Sequence, residues 1–289
     1  MNPAFAIAEV VWILLGRNDS KFLNFWNPKL PQYCGNGLTY HGAYGYRLRH
    51  GAGGDQLERA YQALKSNKDS RQVVLQIWDT TCDMPNPDGS PQSKDIPCNI
   101  AAMLKVRGGA LEWMQVMRSN DLFLGTPHNF IQWTSLQEVL AGWLSCKVGS
   151  FVLVTDSLHL YEHDSGKCSM TDIAPRATNT DSLALPKKDF DELIVTIGKA
   201  MDELIEPELT ASRFKTLLIE TSIHPGWGNL FRIAAADAAR RKLWTEEVDY
   251  AASRCTNPAL RQAWSAWSEQ CFAKSQCENS NSSFIELYQ

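Results

Sequence analysis

The stretch from Ala4 to Gly16 constrains the fold most. Ala4, Phe5, Ile7, Ala8, Val10, Val11, Trp12, Ile13, Leu14 and Leu15 leave hardly a polar position on any side of the helix they would form. Such a helix has no face for solvent, so it belongs in a core, and Gly16 supplies its stop. One residue breaks the pattern. Glu9 stands in the middle, where a carboxylate is costly unless it is paired or protonated. A partner for Glu9, or a use for its charge, is therefore expected.

With 289 residues the chain is long enough for one sizeable domain or two small ones. Its net charge of -4, with basic residues scattered, offers no surface for nucleic acid. No apolar run approaches the roughly 20 residues that span a membrane. Met1-Asn2-Pro3 lacks the basic start of a signal peptide. The eight cysteines form no Cys-x-x-Cys pair and the six histidines do not cluster with them, which argues against a metal site. A cytoplasmic protein with reduced thiols is expected.

Residues 17–55 are rich in turn signals (Pro28, Pro31, Gly35, Gly37, Gly42, Gly45) and read as loop. Gly51-Ala52-Gly53-Gly54 is not a phosphate loop, because no Lys-Ser/Thr follows it. Residues 55–66 read as an amphipathic helix and Val73 to Trp78 as a strand, with a polar loop over 79–95. Ile100 to Val106 and Ala110 to Met117 read as a hairpin turned by Arg107-Gly108-Gly109. That hairpin sets Cys98 and Arg118 at neighbouring strand ends. A thiol becomes a good nucleophile beside a positive charge, and a guanidinium can also grip a phosphate. Pro127 opens a helix over 129–146 that holds Asn129 in its first turn, and His128 reads as structural or exposed. Val148 to Tyr161 reads as a long strand on which His159 and Tyr161 share a face. Residues 186–220, 227–243 and 257–273 read mainly as helices, and Asn279 to Ser283 as a frayed tail.

Pro97-Cys98, Arg118-Ser119-Asn120-Asp121, Gly125-Thr126-Pro127-His128-Asn129 and His159-Leu160-Tyr161 occur in this order, with Cys98 and Arg118 twenty apart. As a set they resemble the catalytic half of the thymidylate synthase and pyrimidine hydroxymethylase family. Glu9-Val10-Val11-Trp12 resembles that family's Glu-Leu-Leu-Trp helix, and Gly42-Ala43-Tyr44-Gly45 partly resembles its Gly-Pro-Val-Tyr-Gly box. The resemblance covers residues 1–163. It implies an α+β fold with a mixed sheet packed by helices. Residues 1–163 would be a catalytic core and 164–289 a divergent, mostly helical section of the same domain.

The resemblance also implies a chemistry. Cys98 would attack C6 of a pyrimidine nucleotide monophosphate, whose C5 takes a one-carbon unit from 5,10-methylenetetrahydrofolate. Glu9 would relay protons and Asn129 would read the base. Arg118 and Ser119 would hold the phosphate, joined by Arg71 from the partner subunit of a homodimer. His159 and Tyr161 would hold the sugar. Asp121, Gly125, Trp26 and Tyr44 would meet the folate.

Several departures bear on the product. The family's phosphate-binding arginine loop and closing tail have no counterpart, Gln72 replaces a second arginine, and Asn99 stands where methylating enzymes usually carry histidine. The lost tail and Asn99 imply hydroxymethylation, whereas Asn129 implies uracil. Thymidylate synthase and (d)CMP or (d)UMP hydroxymethylase types both remain open. The same departures would also suit a non-catalytic nucleotide-binding relative, against which the joint set from Cys98 to Tyr161 argues.

Overall fold

The computed structural model describes residues 1–51, 53–166 and 176–285, with side chains described up to residue 272. Ala52 of the glycine-rich segment, Cys168 and residues 286–289 lie outside the described residues. In chain order the elements begin with helices α1 (Pro3–Leu14), α2 (Ser20–Trp26), α3 (Leu30–Cys34), α4 (Tyr44–His50) and α5 (Gln56–Ser66). Strand β1 (Val73–Gln76) and the one-turn α6 (Thr80–Asp83) lead to the hairpin β2 (Asn99–Arg107) and β3 (Ala110–Asp121). Helix α7 (Gly125–Trp143), strand β4 (Lys147–His159) and the short α8 (Glu162–Ser165) follow. The rest is helical: α9 (Lys187–Ile205), α10 (Ala211–Glu220), α11 (Pro225–Arg241), α12 (Thr245–Ser253) and α13 (Pro258–Ile285).

The fold is α+β, as expected. One four-stranded sheet has the order β1-β2-β3-β4, antiparallel except for the parallel pair β3 and β4. The hairpin turns on Gly108 and Gly109, both at positive φ (54° and 74°), which suits a two-residue turn matched to strand twist.

Three expectations are corrected. The stretch 17–55 holds three short helices rather than loop, because its apolar residues pack inward: Phe22, Leu23, Trp26 and Leu48 are buried. Tyr161 lies just past the end of β4, at the N-cap of α8. The backbone of 279–283 continues α13 rather than fraying.

Helix α1 is buried on every side because it is wrapped on every side. Asn2 caps it by accepting from the Ala4 and Phe5 N–H groups, and Pro3 fills the position where an N–H would be idle. It contacts α2, α4, α7, α9, α11 and α13. Helix α11, which packs against α1, carries a run of fully buried alanines (Ala234, Ala235, Ala236, Ala238, Ala239). Each fully buried Val, Leu, Ile or Phe contributes roughly 1.5–3 kcal/mol. Among the described residues, a hydrophobic cluster runs from α1 through the sheet into the C-terminal helices.

Helix α7 is fastened to the parallel pair by one side chain. The register slips between Leu111 and Trp113, so Gly149 and Ser150 of β4 lie opposite a single residue of β3. Buried Gln137 donates through Nε2 to the carbonyls of Leu111 (2.8 Å), Gly149 (3.2 Å) and Ser150 (3.1 Å). Gln137→Leu keeps the bulk but strands these acceptors. It is expected to cost about 1–3 kcal/mol, read in urea unfolding as a lower midpoint with an unchanged slope.

Candidate active site

Strand geometry gathers the site at one end of the sheet. The antiparallel turn returns Arg118 to Cys98, whose carbonyl accepts the Arg118 backbone N–H at 2.9 Å. The parallel pairing then sets Ser119 beside Ser157 and Asp121 beside His159. The His159 carbonyl accepts from the Leu122 N–H at 2.8 Å. Helix α7 starts from this end with His128 and Asn129 in its first turns, and α1 crosses it with Glu9.

Arg118 clamps the segment that enters Cys98. Its Nε donates to the Pro97 carbonyl at 2.9 Å and Nη2 to the Ile96 carbonyl at 3.1 Å. Its guanidinium carbon lies 5.4 Å from the Trp78 ring centroid. Half-burial pushes the Cys98 thiol up, the Arg118 charge pulls it down, and Asp95 adds to the rise. Burial prevails. Cys34 is a second thiol in these surroundings, held well above the usual thiol range by burial and by Asp95. Sequence reasoning gave it no role.

Glu9 has its partner. Its Oε2 lies 3.0 Å from His128 Nδ1, in close polar contact but not aligned as a hydrogen bond. The His128 ring also packs on Phe5, with centroids 5.0 Å apart. His128 is thus half-buried rather than exposed, and these contacts agree with its structural reading. Glu9 and His128 meet only because α1 crosses α7, so no local pattern could have announced the pair.

Asn129 is buried, and its Nδ2 donates to Asn120 Oδ1 (3.1 Å) and to the Gly125 carbonyl (3.0 Å). A Cβ on Gly125 would stand 3.0 Å from Asn120 Oδ1, so glycine lets the helix start press against both amides. Tyr44 is beside Asn99, which hydrogen-bonds its hydroxyl, while burial drives that hydroxyl's pKa far up. Asp121 accepts from the Phe123 and Leu124 N–H groups and so shapes the turn before α7. His159 and Tyr161 stand edge to face, 5.0 Å apart.

Two expected residues lie elsewhere. Trp26 is fully buried, packed on Phe22 and Phe25, so it presents no surface to a folate. Arg71 is exposed just ahead of edge strand β1, away from Cys98 of its own chain. Among the described residues, His41, Cys82 and Asp83 form a cluster with metal-ligand chemistry. The Asp83 carboxylate is already taken by His41 (2.8 Å), by two Arg47 nitrogens (2.5 and 2.9 Å) and by the Asp79 N–H (2.8 Å). Arg47 supplies the positive charge there, which marks a buried ion-pair network.

Residues 1–196 match the sequence model of the thymidylate synthase family. The chain belongs to that family. The match runs past residue 163 into α9. The chain is 36% identical over 207 residues to a deoxyuridylate hydroxymethyltransferase of Bacillus phage SP01, covering 67% of this chain and 53% of that protein. It is 35% identical over 176 residues to one from Pseudomonas phage M6, covering 60% and 49%. A thymidylate synthase of Buchnera aphidicola is 26% identical over 163 residues, covering 54% and 59%. The chain thus spans about half the length of the phage relatives. In fold it is similar to the crystal structure of thymidylate synthase from T4 phage, with a TM-score of 0.51 and 22% identity over 65% of this chain and 70% of that one. Among the described residues no helix is long and apolar enough to cross a membrane.

The raised thiol gives a pH test. Below its pKa Cys98 is a thiol, so alkylation by iodoacetamide should rise with pH to a midpoint above that of a free cysteine. Arg118→Met removes the opposing charge and should move that midpoint further up.

Proposed function

We propose that the chain transfers a one-carbon unit from 5,10-methylenetetrahydrofolate to C5 of a uracil nucleotide monophosphate, ending in a hydroxymethyl group. The observation that carries this is the higher identity to the two phage deoxyuridylate hydroxymethyltransferases, 36% and 35%, than to a thymidylate synthase, 26%. Convergence of Cys98, Arg118, Asn129 and the Glu9–His128 pair at one sheet end supports it. Asn99 beside Asn129, at a position where methylating enzymes usually have histidine, supports the hydroxymethyl ending.

The Cys98 thiolate adds to C6 and opens the C5=C6 bond. C5 then bonds the folate methylene carbon as that carbon's bond to N10 breaks and N10 takes a proton, leaving it on N5 alone. Loss of the C5 proton and cleavage of the methylene–nitrogen bond release tetrahydrofolate and leave an exocyclic methylene. Water adds its oxygen there, and Cys98 departs as C5=C6 reforms. Glu9 with His128 moves protons at this edge. Arg118 and Ser119 hold the phosphate, His159 and Tyr161 the sugar, and Asn129 the base. Asp121 meets the pterin, Tyr44 lies beside it, and Gly125 permits the close approach.

A homodimer completes the site. Val74, Met103, Met114 and Val152 are cross-strand neighbours in one row over all four strands, 37–53% exposed. A second copy of this sheet face is the self-complementary cover for such a row. Exposed Arg71, just ahead of β1, then reaches the partner's phosphate. The helical section 164–289 belongs to the same domain, supported by the core that α1 shares with α9 and α11. A cytoplasmic location fits this chemistry.

Mass spectrometry after incubation with methylenetetrahydrofolate and each of dUMP, dCMP, UMP and CMP tests the reading. Gain of CH2O on dUMP without dihydrofolate is expected, and Cys98→Ser should abolish it. Gain of CH2 with dihydrofolate would instead make the product thymidylate. Met103→Glu with Val152→Glu should give a monomer in sedimentation and lower turnover with it.

A further inference from the structure

Five buried side chains, the candidate base-reading Asn129 among them, are hydrogen-bonded in a row, which the Tyr44 hydroxyl joins at Asn99. Trp113 Nε1 donates to Gln115 Oε1 at 3.0 Å. Gln115 Nε2 donates to Asn99 Oδ1 at 2.9 Å. Asn99 Nδ2 donates to Asn129 Oδ1 at 3.3 Å. Asn129 Nδ2 donates to Asn120 Oδ1 and to the Gly125 carbonyl, at 3.1 and 3.0 Å. Trp113, Gln115, Asn99 and Asn120 are at most 2% exposed, and Asn129 is 8% exposed.

A carboxamide can usually turn end for end at little steric cost, because its oxygen and nitrogen are nearly the same size. This chain of amides cannot. The indole N–H at one end only donates, and the backbone carbonyl of Gly125 at the other only accepts. Turning Asn129 alone sets its nitrogen against Asn99 Nδ2 and its oxygen against Asn120 Oδ1 and the Gly125 carbonyl. Turning every amide together sets Gln115 Nε2 against the indole N–H and Asn129 Oδ1 against the Gly125 carbonyl. Both ends enforce one polarity, and buried mismatches of this kind cost far more than the bonds gain.

We infer that Trp113, Gln115 and Asn99 are specificity-determining positioning residues, which lock the Asn129 amide so that the site reads uracil and rejects cytosine. The inference rests on the proposed nucleotide reaction and on Asn129 facing the base. Both Nδ2 hydrogens of Asn129 are used within the protein, while its Oδ1 keeps a second lone pair for an incoming N–H. Asn120 Nδ2 is a buried donor with no hydrogen-bond partner among the described residues, and it lies next to Asn129. Acceptor and donor stand in fixed order. Uracil presents N3–H beside the O4 carbonyl, and cytosine presents the reverse, N3 as acceptor beside an amino group. An amide free to turn would serve either base; one held at both ends serves one. Trp113 and Gln115 touch no substrate on this view and act only through Asn99.

Gln115→Glu tests the lock by reversing its logic. An ionised carboxylate accepts from the indole and also from Asn99 Nδ2, which draws Asn99 round and sets its oxygen against Asn129 Oδ1, in opposition to the hold of the Gly125 carbonyl. Trp113→Phe removes the donor-only end and serves as a second, uncharged variant. The ratio of kcat/KM for dUMP over dCMP is measured for the unmodified protein and both variants, together with Kd for each nucleotide. The unmodified protein should favour dUMP. In Gln115→Glu that ratio should fall by about ten- to a hundredfold, carried by a weaker dUMP and a stronger dCMP interaction. Trp113→Phe should lower it in the same direction by less. Equal losses for the two nucleotides, with the ratio unchanged in both variants, would mean ordinary packing residues and would overturn the inference alone. Failure of the unmodified protein to bind or turn over either nucleotide would overturn the proposed function and the inference with it.

Discussion

The parallel pairing of β3 with β4 is the constraint on which the site depends. Two parallel strands end at the same edge of a sheet, so residues at their C-terminal ends become neighbours although some forty positions apart. That pairing sets Arg118 to Asp121 beside Ser157 to His159. Parallel strands need a crossover, and here the crossover is α7, which starts at that same edge and brings His128 and Asn129 with it. The bulge opposite Glu112 would leave carbonyls idle inside the protein, and Gln137 occupies them. One side chain thus joins the crossover helix to both strands it connects.

Burial of α1 is the second organising element. A helix apolar on all sides is stable only if other elements surround it, and those elements come from both halves of the chain. This links the C-terminal helices through α1 to the edge that holds the candidate site. Helices α9 and α11 hold α1, and α1 holds Glu9 against His128.

Inside this frame, polar groups are kept dry in two different ways. Asp83 is neutralised by Arg47 and hydrogen-bonded to His41, a network whose strength comes from pairing. The Trp113-to-Asn120 file carries no formal charge, and its strength comes from direction, since each group has one role left once its neighbour has chosen. Cys98 falls between these cases. It is buried enough to hold its proton more firmly and near enough to Arg118 to feel the opposite pull.

Much of this was legible in the sequence, and the division has a physical basis. Periodicity marked α1, α5, the hairpin and α7, because local backbone preference and amphipathic spacing are encoded within a few residues. The spacing of Cys98 and Arg118 followed from a short hairpin, whose geometry is also local. The short helices between residues 17 and 55 were hidden by their glycines and prolines, since α2 and α4 are stabilised by packing against α1 rather than by propensity. Glu9 announced by its apolar neighbours that it needed a partner, but only the crossing of α1 and α7 made that partner His128. Trp26 looked like a ligand residue in the sequence and was claimed by the core in the fold. Gln115 and Trp113 gave no signal at all as strand residues. Their side chains acquire direction only when β2, β3 and the start of α7 are assembled, because an amide's orientation is fixed by neighbours distant in sequence and close in space.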